Sequence, residues 1–221
     1  MAVKADRLSY EGPFGVGYGV CTYQVAGRDP DRDFLEQYER KERSRLMALR
    51  AGEDGYVRLA RRTIETYVRT GEILPVPEGL PDDLYRVRAG AFVSVKKEGQ
   101  LRGCIGTIQA VQTCLAKEII QNVVSACCRD PRFSPVRKEE LDRLVISVDV
   151  LGEAVKIDSP EQLDVKRYGV IVTSGARRGL LLPDLDGVDT VGQQIAIARQ
   201  KAGIRDEEPV QLERFEVVRH H

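Results

Sequence analysis

The segment Leu101-Arg-Gly-Cys-Ile-Gly-Thr107 carries the side chains of this sequence best suited to covalent chemistry. Read as a strand, its period-two alternation puts Arg102 and Cys104 on one face and Leu101 and Ile105 on the other. A guanidinium beside a thiol favours the thiolate, which is the nucleophilic form. Cys104 is therefore a candidate catalytic nucleophile, with Arg102 as its electrostatic partner. The competing reading makes Cys104 a small buried apolar residue, a common fate of free cysteine. Gly103 and Gly106 weaken a strand through ordering entropy and lost packing. A sequence tolerates them where a backbone kinks or something approaches closely, so both are candidate ligand-binding positions.

Two further segments offer charge. Asp130-Pro131-Arg132 follows a helical pattern and admits two readings. Asp130 accepts backbone N–H groups in an ordinary turn, or it pairs with Arg132 at a cleft edge and leaves Arg132 partly available to an anion. Arg177 and Arg178 fall at the expected tip of a hairpin, where solvation is the default. If they converged with Arg102 and Arg132, the four would suit a phosphate or carboxylate.

The sequence also limits the chemistry. Its two histidines, His220 and His221, both lie at the C-terminal end and stand as native residues or the remnant of a tag. No internal imidazole is left for a Cys-His or Ser-His-Asp arrangement, or for a His-rich metal site. The five cysteines, Cys21, Cys104, Cys114, Cys127 and Cys128, are odd in number and contain no C-x-x-C pair. They read as reduced thiols, and no metal or cofactor is expected. The adjacent Cys127 and Cys128 read as a buried thiol and a half-exposed neighbour, because a disulfide between neighbours is strained.

The elements that must position these residues follow from periodicity. Glu11 to Val20 alternates glycine with larger residues, putting Phe14, Val16, Tyr18 and Val20 on one side of a strand. Gly15, Gly17 and Gly19 fall on the other, where close packing of another backbone is expected. The stretch lacks an obvious partner strand. Asp31 to Arg50 reads as a charged linker helix bordered by Gly27 to Asp31 and Ala51 to Gly55. Its basic run, Arg40 to Arg45, reads as a solvated face. Tyr56 to Val68 has helical spacing, with Asp54 as cap and Gly71 as stop. Pro75, Pro77 and Pro81 mark an extended crossing. Ala91 to Lys97 and Leu101 to Ile108 form a hairpin about Glu98-Gly99. A helix over Thr113 to Cys128, a strand over Leu144 to Leu151 and a capped turn at Ser159 to Gln162 come next. Then follow a hairpin of Tyr168 to Thr173 with Leu180 to Leu182, a helix from Asp189 to Gly203, and a last strand over Val210 to Arg219. Hairpins interleaved with helices indicate an α+β fold, and no internal repeat is visible in the sequence.

Length and composition agree with that class. The 221 residues are 42% hydrophobic and 31% charged, with 34 basic side chains against 34 acidic ones. That balance argues against a dedicated nucleic-acid surface. No apolar run approaches the roughly 18 residues of a membrane span, and the polar N-terminus is unlike a signal peptide. A cytoplasmic protein is expected.

The string Leu101 to Thr107 resembles the signature of the AMMECR family. Gly90-Ala-Phe-Val93, Asp130-Pro-Arg-Phe-Ser-Pro135, Arg177-Arg-Gly-Leu-Leu-Leu-Pro183 and Lys201-Ala-Gly203 resemble its other blocks, in order, over about Asp54 to Arg219. The resemblance implies an α+β fold with an antiparallel sheet, flanking helices and two unequal subdomains around a cleft beside the signature strand. It does not imply a reaction. The variant is similar to bacterial proteins of the AmmeMemoRadiSam system, which implies a Memo-like, dioxygenase-related protein and a radical SAM protein as partners. Tyr10 to Tyr23 is similar to the final strand of Memo-like, class III extradiol dioxygenase-related domains. Residues 1–27 are thus expected to be an orphan strand or tail from such a domain, 28–53 a helical linker, and 54–221 the AMMECR-type domain. The metal-binding histidines of such a domain are absent, so dioxygenase chemistry is not expected. Three functions stay open: an enzyme or enzyme subunit using Cys104, a binding module for an anionic ligand, RNA segment or partner protein, and a scaffold. An unpaired strand also favours self-association.

Overall fold

Asp54 opens the first helix that lies wholly within the second of two structural units, as its side chain dictates. In the computed structural model, which describes residues 2–12, 16–27 and 33–221, the chain divides into units 1–48 and 49–221. The Asp54 carboxylate accepts from the N–H groups of Tyr56 and Val57 at 2.9 and 3.0 Å, opening helix α2 (Gly55–Thr70). Gly71 closes it at φ 79°, the left-handed geometry that glycine adopts without penalty.

The first unit corrects the orphan-strand reading. Strands β1 (Ala2–Glu11) and β2 (Tyr18–Gly27) form an antiparallel hairpin, so the second half of the glycine-alternating run has a local partner after all. The partner precedes the run, in a polar stretch without clear alternation. The glycine face receives a side chain rather than a backbone: a Cβ on Gly17 would meet the Tyr10 hydroxyl at 2.3 Å, and one on Gly19 would touch the same ring. Phe14, Gly15 and the expected linker border at 28–31 lie outside the described residues. The expected linker helix is α1 (Phe34–Ala51).

Within 49–221, two four-stranded antiparallel sheets lie in sequence. The first has the order β10-β5-β3-β4, built from β3 (Ala91–Lys97), β4 (Gln100–Gly106), β5 (Leu144–Leu151) and β10 (Val217–His220). Its inner face carries Val93, Val95, Ile146 and Val148, which bury against α2 and α4 (Leu115–Cys128). The second sheet has the order β6-β9-β7-β8, from β6 (Val155–Ile157), β7 (Gly169–Ser174), β8 (Arg177–Leu181) and β9 (Gln211–Phe215). Its Val170, Val172 and Leu181 share a smaller core with Ala198 of α5 (Val191–Ala202). A third cluster, Leu151, Ile171, Leu180 and Phe215 with Phe92, joins the two sheets by their remaining faces. The expected α+β class with two unequal halves is what the chain adopts.

The two halves repeat one plan that the sequence does not announce. Each is a hairpin, then a helix, then a strand beside the hairpin's first strand: β3-β4-α4-β5 and β7-β8-α5-β9. The edge strand of each carries Arg-Gly at the same place, Arg102-Gly103 and Arg178-Gly179. A Cβ on Gly103 would lie 2.1 Å from the Ala126 carbonyl oxygen, and one on Gly179 would lie 2.0 Å from that of Ala198. Both glycines let a helix backbone lie against the strand.

Other expectations are adjusted locally. The proline-marked crossing contains a short helix, α3 (Asp82–Arg86), and a 3-10 turn covers Lys138–Arg143. Helix α5 is capped by Thr190, whose hydroxyl accepts from Gln193, and not by Asp189. The single last strand is two strands in different sheets, broken at Glu216, where the chain returns beside its outward crossing (Gly152 N to Glu216 O, 2.9 Å). His220 belongs to the fold: its Nδ1 lies 2.5 Å from Asp54 Oδ2 and its ring stacks on Tyr56.

Candidate functional site

The first sheet turns a half-exposed polar face away from its core. Register pairs Ser94 with both Cys104 and Ser147, so the three small polar side chains make one row across β5, β3 and β4. The Ser94 hydroxyl lies 3.2 Å from Cys104 Sγ. Ser94 and Ser147 carry no signal in sequence; only register reveals them.

Cys104 sits on an edge strand, and its outward backbone groups are capped by the Asp130 loop. Asp130 Oδ2 accepts from Cys104 N at 2.9 Å, and Arg132 Nη2 donates to Cys104 O at 3.0 Å. This is the pattern of a non-hydrogen-bonded antiparallel pair, whose side chains lie closest, and it explains the Ser94–Cys104 contact. Arg132 also grips Asp130 through Nε (2.9 Å) and Nη2 (2.7 Å). That grip, aided by the N–H groups of Cys104 and Arg132, outweighs burial and holds the Asp130 carboxyl well below the usual carboxylate range. Both readings of Asp130 therefore hold together: it accepts backbone N–H groups and pairs with Arg132. The Arg132 side chain remains half exposed, and its Nη1 makes no hydrogen bond among the described residues.

Arg102 does not serve Cys104 as expected. The β3–β4 register slips between Val95 and Lys96, which face Gly103 and Leu101, leaving Arg102 as a bulged residue. A bulge re-aims a side chain and breaks the period-two alternation on which the expectation rests. The Arg102 guanidinium is bound to Glu140 (3.0 and 3.1 Å) and to the carbonyls of Ser134 and Pro135 (2.8 and 3.2 Å). Arg102 first, against burial, and then the Arg137 N–H and Lys97 hold the Glu140 carboxyl down to about 2. The guanidinium next to the thiol is that of Arg132.

The four arginines do not converge. Arg177 leaves β8 on the α5 side, donating to the Gly203 carbonyl at 2.7 Å and pairing with Glu208. Arg178 emerges on the opposite face and pairs with Glu213 at 2.9 Å. Both belong to a strand, since the turn ends at Ala176. Gly103 and Gly106 are filled by protein rather than open to a ligand: Gly103 meets α4, and a Cβ on Gly106 would strike the Phe92 ring at 2.3 Å.

Sequence reasoning did not single out Lys201 as a candidate site residue. It stands in the last turn of α5 with Nζ 3.5 Å from the Leu180 carbonyl. Surrounding protein lowers its proton affinity, the Cys104 charge raises it and Arg132 lowers it. Lys201 as a whole is exposed to solvent, which moderates the effect of burial, so the direction carries the meaning. Cys127 is buried in α4, where burial pushes its thiol up, and Cys128 is half buried 3.2 Å from it. Among the described residues, no group of three or more His, Cys, Asp or Glu side chains is arranged to hold a metal ion, and no helix is long and apolar enough to cross a membrane.

A family model described as AMMECR1 matches residues 57–220. A protein of Clostridium acetobutylicum is 44% identical over 218 residues, covering 98% of this chain and 46% of its own length. The chain thus spans about half of that relative. A protein of Thermotoga maritima is 48% identical over 171 residues, 76% of this chain and 98% of its own. Among solved structures, an uncharacterised protein from Pyrococcus horikoshii superimposes with a TM-score of 0.69 at 34% identity, over 76% of this chain and 89% of that one.

Proposed function

Since the chain belongs to the AMMECR1 family, a family of uncharacterised proteins, we propose its function from the surroundings of Cys104: Cys104 is a nucleophile toward an anionic electrophile. The observation that carries this reading is the thiol's setting, half exposed beside Ser94 with Arg132 at its edge. In a fold whose histidines lie away from the thiol, Lys201 of α5 is the base in this reading. Lys201 takes the thiol proton. The sulfur then bonds to an electrophilic carbon of the substrate, whose π electrons pass to the attached heteroatom. Arg132 Nη1 receives the substrate's negative group. Arg102 is a positioning residue, fixing the bulge through Glu140.

Native-state alkylation with iodoacetamide, read thiol by thiol by mass spectrometry, tests this. Cys104 is expected to outpace the half-buried Cys114 and Cys128, and Lys201→Met to slow Cys104 by about tenfold while sparing the others. Alkylation of Cys104 only after denaturation, or at a rate indifferent to K201M, overturns the reading.

A second reading, association with a partner protein, is favoured by the β1–β2 hairpin. Tyr18, Val20, Tyr23 and Val25 are all more than half exposed on a two-stranded element, and such elements are marginal alone. A Memo-like or radical SAM protein is the proposed partner class. Co-elution with a purified Memo-like protein, lost in Y18E/V20E, is expected; no co-elution with either class contradicts it.

A further inference from the structure

Where the chain crosses from the first sheet to the second lies an open pocket of about 480 Å³, within the range of small-ligand sites. Its apolar walls are Ile108, Ile171 and Phe215, and its floor is the crossing Gly152–Ala154. Cys104 is not among its lining residues, so the pocket stands apart from the thiol.

The polar groups of the pocket are unusual in being only partly spent. Among the described residues, Arg178 uses Nη2 on Glu213 Oε2, while its buried Nε has no hydrogen-bond partner and Nη1 makes none. Among the described residues nothing donates to Glu213 Oε1. Thr173 is outside the lining, but it pairs with Arg178 in the β7–β8 register and its hydroxyl too is buried without a partner. An unsatisfied buried polar group is destabilising, so such a cluster is retained at a cost unless something else completes it. The rim is fixed from behind: Glu118, fully buried, accepts from Thr107 Oγ1 at 2.7 Å and from the N–H groups of Val111 and Gln112 at 2.9 and 2.8 Å. That grip holds the 108–112 loop in place.

The charges choose the ligand. Arg88 and Arg178 face Glu153 and Glu213 in the same lining, which disfavours the phosphate or carboxylate that Arg178 alone would attract. A guanidinium and a carboxylate side by side present a donor next to an acceptor. Their complement is a carbonyl next to an N–H on a flat ring that fits between Ile108, Ile171 and Phe215.

We propose that this pocket binds the lactam edge of a nucleobase-like heterocycle, its carbonyl accepting from Arg178 and its ring N–H donating to Glu213. Uridine and guanosine present that edge on a pyrimidine and on a purine, and 3-methyluridine lacks the N–H.

Titration of the full chain, followed by backbone amide NMR shifts, tests the site. Saturable shifts at residues 108–110 and 152–154 are expected with uridine, guanosine or both, which tells a pyrimidine source from a purine one. At least tenfold weaker binding is expected for 3-methyluridine where uridine binds. R178M/E213M, which replaces the pair by apolar groups of similar size and so keeps the packing, is expected to abolish the shifts. Absence of saturable binding by both nucleosides overturns the proposal. So do equal affinity for uridine and 3-methyluridine, unchanged binding in the double variant, or inorganic phosphate binding these residues more tightly than either nucleoside.

Discussion

Glu140 shows how a single carboxylate can set both a geometry and an acid limit. It is mostly buried between Arg102 and Lys97, and its carboxyl is held down from 4.5 to about 2. A carboxyl depressed in the fold contributes stability that is fully present above its unfolded value and is lost as pH falls through its folded one. The window is therefore about pH 4.5 down to 2, and the contribution is on the order of 2 kcal/mol. Urea unfolding at pH 6 and pH 2.5 is expected to show a steeper acid loss in the parent chain than in E140Q; equal slopes would contradict the role. Cys104 and the Asp130–Arg132 pair were legible in the sequence because chemistry and turn grammar mark them. The partnership of Arg102 with Cys104 was misread, since a one-residue bulge leaves no mark in a strand pattern. Ser94 and Lys201 were illegible as site residues, because each is brought there by register or by an edge far along the chain.

At the scale of elements, the two Arg-Gly strands make the same demand on their helices. With carbonyl oxygens 2.1 and 2.0 Å from where a Cβ would stand, Gly103→Ala and Gly179→Ala must each push a helix off its sheet. A loss of roughly 1–3 kcal/mol is expected from such overpacking, read as a lowered urea midpoint at unchanged slope. A change below about 0.5 kcal/mol would mean that the helix yields freely. Strands β3 and β5 could be bounded in the sequence to the residue by their apolar alternation and flanking turns. Three-residue β6 is too short to show a period, and the change of sheet at Glu216 falls inside a continuous strand-like run. The internal repeat escaped because the halves share a topology and an Arg-Gly pair but little other sequence.

Across the whole of residues 49–221, the two sheets are held together by Leu151, Ile171, Leu180 and Phe215. Phe215, 2% exposed, lies against Gly169 and lines the crossing pocket. Phe215→Ala is expected to cost about 3–5 kcal/mol, with near-UV signals from both halves lost in one transition. Separate transitions already in the parent chain would contradict a shared core. The α+β class was legible from hairpins interleaved with helices, whereas the facing of the sheets was not, because contacts between distant strands impose no periodicity. The cationic setting proposed for Cys104 belongs to that unseen level. Its most direct test compares iodoacetate with iodoacetamide at Cys104 in the native chain, taking the same thiol in urea as reference. Arg132 and Lys201 are expected to raise the acid-to-amide rate ratio several-fold over the unfolded value. A ratio equal to or below that value would show that no cationic field surrounds the thiol.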